Sequence, residues 1–172
     1  MVLSEGAALI LLESKRSQHS CAEIIGWGAA TEGGTLTGVS EQGGALSRAI
    51  ANAVKIAGID KGDVDFIVGH GAGTMKGDAA EREAYFQVFD PIPLPAIVWH
   101  KWCGGHMLGA SAALSVMLAC EHLQSGTLPP HPYFAPDHPM YASRFIPSSQ
   151  IALVTSMGFG GNACALLVKN LL

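Results

Sequence analysis

The sequence predicts an α/β domain, a mixed sheet covered by helices. Three observations point there. Short aliphatic runs of strand length alternate with longer segments of helical period. Only 14% of the 172 residues are charged and 49% are hydrophobic, against roughly 25% charged in an average soluble domain, which suggests elements buried on both sides or a large surface normally covered by a partner. The 21 glycines are numerous, and several stand directly after the apolar runs.

Ala7 to Leu12 is a continuous aliphatic run and reads as a strand buried on both faces, with Glu5 an isolated polar group before it. A core strand so close to Met1 leads us to expect a fragment, or the second part of something larger. After a polar turn from Ser14 to Ser20, Ala22 to Ala29 reads as a second strand, in a hairpin with the first. Gly33 to Gly44 is loop. Ala45 to Ala57 places Leu46, Ile50, Ala53, Val54 and Ala57 at helical period, and Gly58 stands where helices commonly stop. Asp65 to Val68 is a short buried strand that runs into Gly69-His70-Gly71-Ala72-Gly73-Thr74. Gly77-Asp78 opens a helix to Phe89, with Asp78 placed to cap it. Pro91, Pro93 and Pro95 mark the loop before a strand from Ala96 to Trp99. The corner Lys101-Trp102-Cys103-Gly104-Gly105-His106 follows. Next comes a helix from Met107 to Leu123, apolar or small on nearly every side and therefore expected to be buried. Pro129 to Pro147 is a proline-rich connection without periodicity. Ile151 to Val154 and Cys164 to Val168 are the last strands, joined by a glycine-rich turn, Ser156 to Asn162, suited to close approach of backbone to a ligand. No internal repeat and no linker divides residues 1–172.

Several classes are disfavoured. A net charge of −4 gives no basic patch for nucleic acid. No apolar run reaches the ~20 residues needed for a membrane span. The start carries no signal-type segment, so the expected location is cytoplasmic. Four cysteines without CxxC spacing and seven histidines without HExxH argue against structural zinc and a disulfide scaffold, and no metal site is expected. Cys21, Cys120 and Cys164 read as buried free thiols. His100, His122 and His131 read as surface or structural, and His19 and His138 lie in polar or proline-rich loops.

Chemistry concentrates at two corners. His106 follows two glycines near the first turn of a helix, where free N–H groups and the helix dipole disfavour imidazolium. A neutral imidazole there could donate a hydrogen bond to a developing oxyanion, although the same corner also suits a histidine that merely satisfies backbone groups. His70 stands between glycines at a strand end, placed to reach into a cleft. Two glycine-flanked histidines and Lys101 make a constellation rather than a lone signal. Cys103 could be a local nucleophile, since a nearby lysine or histidine can lower a thiol pKa.

Five segments in order resemble one family. They are Glu5-Gly6-Ala7; Ala57-Gly58-Ile59 with Asp63-Val64-Asp65; His70-Gly71-Ala72-Gly73-Thr74 with Gly77-Asp78 and Glu81; Lys101 with His106-Met107-Leu108-Gly109-Ala110; and Gly158-Phe159-Gly160-Gly161-Asn162-Ala163. Together they resemble the C-terminal half of a β-ketoacyl-acyl carrier protein synthase, a condensing enzyme of the thiolase superfamily.

The resemblance implies a thiolase-like half-domain and decarboxylative Claisen condensation of acyl and malonyl thioesters, in fatty acid or polyketide synthesis. His70 and His106 would assist loss of CO2 and stabilise the enolate, and Lys101 would organise the second histidine. Thr74 would bind the pantetheine arm, Phe159 would gate the acyl pocket, and Gly160 and Gly161 would shape the substrate turn. No cofactor is implied beyond the phosphopantetheine of acyl carrier protein. The implied partners are acyl carrier protein and an N-terminal ketosynthase half or ketosynthase subunit carrying the nucleophilic cysteine, in a homo- or hetero-oligomer. That placing of the nucleophile argues against Cys103.

Departures from the family pattern are Ala72 for a threonine, Ser115 where many members have a glutamate paired with the lysine, Met157 for an aromatic, and a final turn one residue short. They keep open a non-catalytic, chain-length-factor-like subunit, which retention of His70, His106 and Lys101 disfavours. A thiolytic or other acyl-CoA enzyme of the superfamily fits the paired histidines less well.

Overall fold

A computed structural model of the chain describes residues 1–34, 38, 40–129, 144–145 and 148–171. Its elements are β1 (Ala22–Thr31), α1 (Gly44–Ala57), β2 (Phe66–Val68), α2 (Met75–Phe89), β3 (Ala96–Val98), α3 (Lys101–Gly104), α4 (Ser111–Ser125), β4 (Thr127–Leu128), β5 (Arg144–Phe145), β6 (Ile151–Gly158) and β7 (Asn162–Asn170). The main sheet has the order β1-β7-β6-β2-β3. β2 runs parallel to both β3 and β6, whereas β7 is antiparallel to β6 and β1. The sheet is mixed, as the alternation of elements implies.

The three parallel strands are buried on both faces, and alternate side chains serve opposite layers. In β2, Ile67 joins the core under α1 and α2 with Leu46, Ile50, Tyr85 and Phe89. Phe66 and Val68 point the other way, to Ala119 and Leu123 of α4. Val68 is level with Val98, where β2 and β3 end, and with Val154 of β6, which continues to Gly158 toward the same edge of the sheet. That edge carries the candidate site.

Several expectations need correction. Ala7 to Leu12 is not a strand of the sheet and makes no hairpin with β1; Leu9, Leu11 and Leu12 are exposed. Just before the run, the Ser4 N–H and the Val2 carbonyl hydrogen-bond the backbone of His106, so the ladder contact of the N-terminal segment is made there and not with β1. The aliphatic run is left without a ladder partner. α2 starts at Met75 rather than at Gly77, and Asp78 instead accepts the Gly73 N–H at 3.2 Å from inside the first turn. α4 starts at Ser111, after a separate 3-10 turn from Leu108 to Ala110. It buries one stripe, Ser111, Ser115, Ala119, His122 and Leu123, and leaves Met117 exposed, because only one sheet face of the described chain meets it.

Cys21 and Cys164 are exposed rather than buried. Cys164 alternates with the buried Ala163 and Ala165 along β7 and so faces outward. His122 is structural, packed edge-on against Phe66 with ring centroids 6.2 Å apart. Most of the proline-rich connection, with His131 and His138, lies outside the described residues. Among the described residues, no helix is long and apolar enough to cross a membrane.

Candidate active site

Where the parallel strands end, the following loops are free to carry chemistry on a rigid base. β2 delivers His70, β3 delivers His100 and Lys101, and the turn between α3 and α4 delivers His106.

His70 is held through its backbone. Its N–H donates to Glu81 Oε1 at 2.6 Å, and the neighbouring Gly71 N–H donates to Oε2 at 2.8 Å. The Tyr85 hydroxyl also donates to Glu81 Oε1 at 2.6 Å and meets Thr155 Oγ1 of β6 at 2.6 Å. The Lys101 ammonium donates to the His70 carbonyl. Gly71 has φ 44°, and a Cβ there would overlap the Trp99 ring, so this corner requires glycine. Burial, with the charge of Lys101 and the neighbouring His106 and His100, pushes the His70 pKa down to about 3. The ring is therefore neutral at physiological pH. Its Nδ1 is buried and has no hydrogen-bond partner among the described residues.

Glu81 is itself 2% exposed. Burial pushes its pKa up, while Tyr85, the two N–H groups and Lys101 favour the charged form. Three donors converge on its oxygens, so the carboxylate is the state that leaves no buried donor unpaired. Lys101 is likewise pushed down by burial and held up by Glu81. The lysine thus finds its partners in the His70 carbonyl and the Glu81 charge, which answers the absence of a carboxylate at Ser115.

His106 is held through backbone and ring together. Its N–H donates to the Val2 carbonyl at 2.7 Å and its carbonyl accepts the Ser4 N–H at 3.1 Å. Gly105, at φ 74°, brings the chain so close that a Cβ would lie 2.7 Å from the Ser4 Cβ. The ring Nδ1 accepts the Leu108 N–H at 3.0 Å. A backbone N–H can only donate, so Nδ1 carries no proton and the neutral ring bears its single proton on Nε2. Leu108 adopts φ 48°, a left-handed conformation that a leucine takes only under constraint. Burial and the charge of Lys101 push the His106 pKa down. The His70 and His106 rings meet edge to face, with centroids 5.4 Å apart and planes at 78°.

The structure thus brings His70, Lys101 and His106 together. Thr74 stands at the N-cap position of α2, exposed and without a side-chain capping hydrogen bond, four residues beyond His70. Phe159, Gly160 and Gly161 form the turn after β6, at the same sheet edge. Gly160 has φ 78°, the Gly161 carbonyl accepts the Glu32 N–H at 3.0 Å, and the Phe159 ring is 70% exposed. Among the described residues, this turn does not enter the hydrogen-bond network of the histidines. The exposed Cys103 donates from Sγ to the His100 carbonyl at 3.0 Å.

One further histidine enters the site, taking the structural of the two roles that the sequence left open to it, surface or structural. His100 is 7% exposed, not a surface group, and its Nε2 lies 2.7 Å from Ser115 Oγ. Burial, followed by Lys101 and then by His106 and His122, lowers its pKa to about 4. Its position beside Lys101 was the available signal; the contact with Ser115, fifteen residues on, was not visible.

A mixed sheet with helices on both faces and its histidines at one strand edge is a thiolase-like half-domain. The chain belongs to the β-ketoacyl synthase family: residues 21–135 match the family described as "Beta-ketoacyl synthase, C-terminal domain". It is similar, at 29% identity over 98% of its length, to the 3-oxoacyl-(acyl-carrier-protein) synthase 2 of Rhizobium meliloti, of which it covers 42%. A 3-oxoacyl-(acyl-carrier-protein) synthase homolog of Saccharomyces cerevisiae is also 29% identical, over 98% of this chain and 43% of that protein. Among solved structures, it resembles a chain in the complex of a type II polyketide synthase acyl-carrier protein with its ketosynthase bound to the hexaketide. That match has a TM-score of 0.79 and 25% identity, and covers 89% of this chain and 39% of that one. The chain spans less than half the length of these relatives.

Proposed function

We propose that this chain supplies the two histidines of a condensing enzyme that joins acyl and malonyl thioesters, carried on acyl carrier protein, in fatty acid or polyketide synthesis. An N-terminal ketosynthase half or a ketosynthase subunit contributes the cysteine that holds the acyl group. The malonyl C–C bond to the carboxylate breaks, CO2 leaves, and the electron pair moves onto the thioester oxygen as an enolate. The enolate carbon then attacks the acyl carbonyl and expels the cysteine thiolate. The observation that carries this reading is the edge-to-face pair of His70 and His106, two buried neutral imidazoles 5.4 Å apart. Neutral donors aimed at a developing enolate stabilise charge in a dry site without needing to be recharged. Thr74 holds the pantetheine arm and Phe159 gates the acyl pocket.

The exposed aliphatic run from Ala7 to Leu12 supports the need for a partner, since unpaired apolar strand sequence is otherwise a liability. The alternative, a non-catalytic chain-length-factor-like subunit, draws support from Ser115, whose hydroxyl oxygen meets His100 Nε2 where a carboxylate would be expected. One experiment separates the two. The chain is mixed with a matching cysteine-bearing half, and malonyl decarboxylation is followed, with His106→Ala as control. Activity that needs both halves and is lost in the mutant supports the condensing enzyme. A stable but inactive complex, indifferent to His106→Ala, supports the subunit.

A further inference from the structure

One turn of α4 touches both arms of the site. Ser111 Oγ accepts the Met107 N–H at 2.9 Å and lies 3.2 Å from His106 Nδ1. Because Nδ1 already accepts the Leu108 N–H and carries no proton, the proton in the Ser111 contact comes from the serine hydroxyl. Four residues on, Ser115 donates its own proton to the Ser111 carbonyl at 3.0 Å. Its oxygen is left to accept, so the 2.7 Å contact with His100 is a bond donated by the histidine Nε2–H. His100 directly precedes Lys101, and its carbonyl accepts the N–H groups of Cys103 and Gly104 that start α3. All four side chains are buried, with Ser111 at 3% and Ser115 at 1% exposure.

We propose that Ser111 and Ser115 are positioning residues: Ser111 adds a second donor beside the Leu108 N–H on Nδ1 and so holds the orientation of the His106 ring, and Ser115, through His100, fixes the turn that presents Lys101. Spacing i, i+4 on a helix puts both hydroxyls on one face, so a single rigid element sets the orientation of a ring from one loop and an ammonium from another. The inference deepens the reading of His106 as an enolate-facing donor and rests on it. An alanine at position 111 strands the Met107 N–H and leaves the His106 ring with one donor instead of two. An alanine at position 115 leaves both nitrogens of a buried His100 unpaired, since its Nδ1 already has no partner among the described residues.

The test is long-range proton–nitrogen NMR of the full chain labelled with 15N-histidine, which reports which ring nitrogen carries the proton. In the unmodified chain, His106 and His100 should both show a single Nε2–H tautomer at neutral pH. Ser111→Ala should leave the His106 proton on Nε2, where the Leu108 N–H keeps it, but move the Nδ1 resonance toward that of an unbonded ring nitrogen, with His100 unchanged. Ser115→Ala should give averaged tautomers at His100 and leave His106 as it was, and Ser111→Thr, which keeps the hydroxyl, should restore the His106 Nδ1 resonance. In the two-component decarboxylation assay, Ser111→Ala should lower kcat about tenfold with KM unchanged, the loss of one hydrogen bond made in the transition state. An Nδ1–H tautomer at His106 in the unmodified chain overturns the proposal, and needs no variant to fold. So do serine variants that leave both ring patterns as they were. An inactive but correctly tautomerised chain would sink the condensing-enzyme reading while the positioning of the ring stood.

Discussion

The two histidine corners differ in what is held. At His70 the backbone is fixed, by Glu81 on its N–H and Lys101 on its carbonyl, and the buried Nδ1 has no partner among the described residues. At His106 the ring itself is fixed, by the Leu108 N–H and the Ser111 hydroxyl on Nδ1. The first arrangement places a ring, and the second also dictates its proton. Two residues with the same glycine-flanked setting in the sequence are thereby made unequal, as a site that asks different work of each would require.

The largest effect should come from breaking the His70 backbone grip. Glu81→Ala strands the His70 and Gly71 N–H groups and the Tyr85 hydroxyl and leaves the buried Lys101 without its carboxylate. We expect a loss of about 3 to 5 kcal/mol in denaturant unfolding. A loss under 1 kcal/mol would mean that the carboxylate is not what holds this corner.

Acid should separate the corners next. Both histidines have folded pKa values below the unfolded value near 6.5, so below that pH the unfolded chain binds more protons than the folded one. Their contribution is fully present above pH 6.5 and is lost as pH falls toward about 3, the folded value of His70. The denaturation midpoint should therefore drop between about pH 6.5 and 4. His70→Asn should flatten that drop more than His106→Asn. Equal slopes in the two variants would abolish the distinction.

Lys101→Met sharpens the electrostatic side. The ammonium lowers His70, His100 and His106 alike, so its removal should raise all three pKa values in an NMR titration. Burial is the larger cause at each, so the values should stay below the ordinary histidine range; a full return to it would show that charge, not burial, sets them.

A smaller, opposite effect is expected at Leu108. Leu108→Gly relieves the left-handed backbone while keeping the N–H that holds His106. It should raise stability by about 0.5 to 1 kcal/mol, with the His106 tautomer unchanged. Last, alkylation at neutral pH should not favour Cys103 over the equally exposed Cys21 and Cys164, because its thiol is engaged as a donor to the His100 carbonyl. Selective labelling of Cys103 would reopen its candidacy as a nucleophile.

Much of this molecule was legible in the chain itself. Alternating aliphatic runs and helical periods gave β2, β3, β6, β7 and α1, because side-chain period is a local property of backbone geometry. The strand-end position of His70, and its pairing with His106 and Lys101, were readable from glycine spacing and order. What the sequence could not carry were contacts between segments far apart in it. Ala7 to Leu12 has the composition of a core strand, yet a strand is made by its neighbours, and the bridge of this segment is made at Leu3 with His106 rather than with β1. His100 could be surface or structural until Ser115 of α4 was folded against it, and Ser115 looked like a missing carboxylate until the charge of Glu81 was found to support Lys101. Periodicity and turn chemistry are written residue by residue; burial, proton position and charge pairing depend on which distant groups meet, and only the tertiary structure decides that.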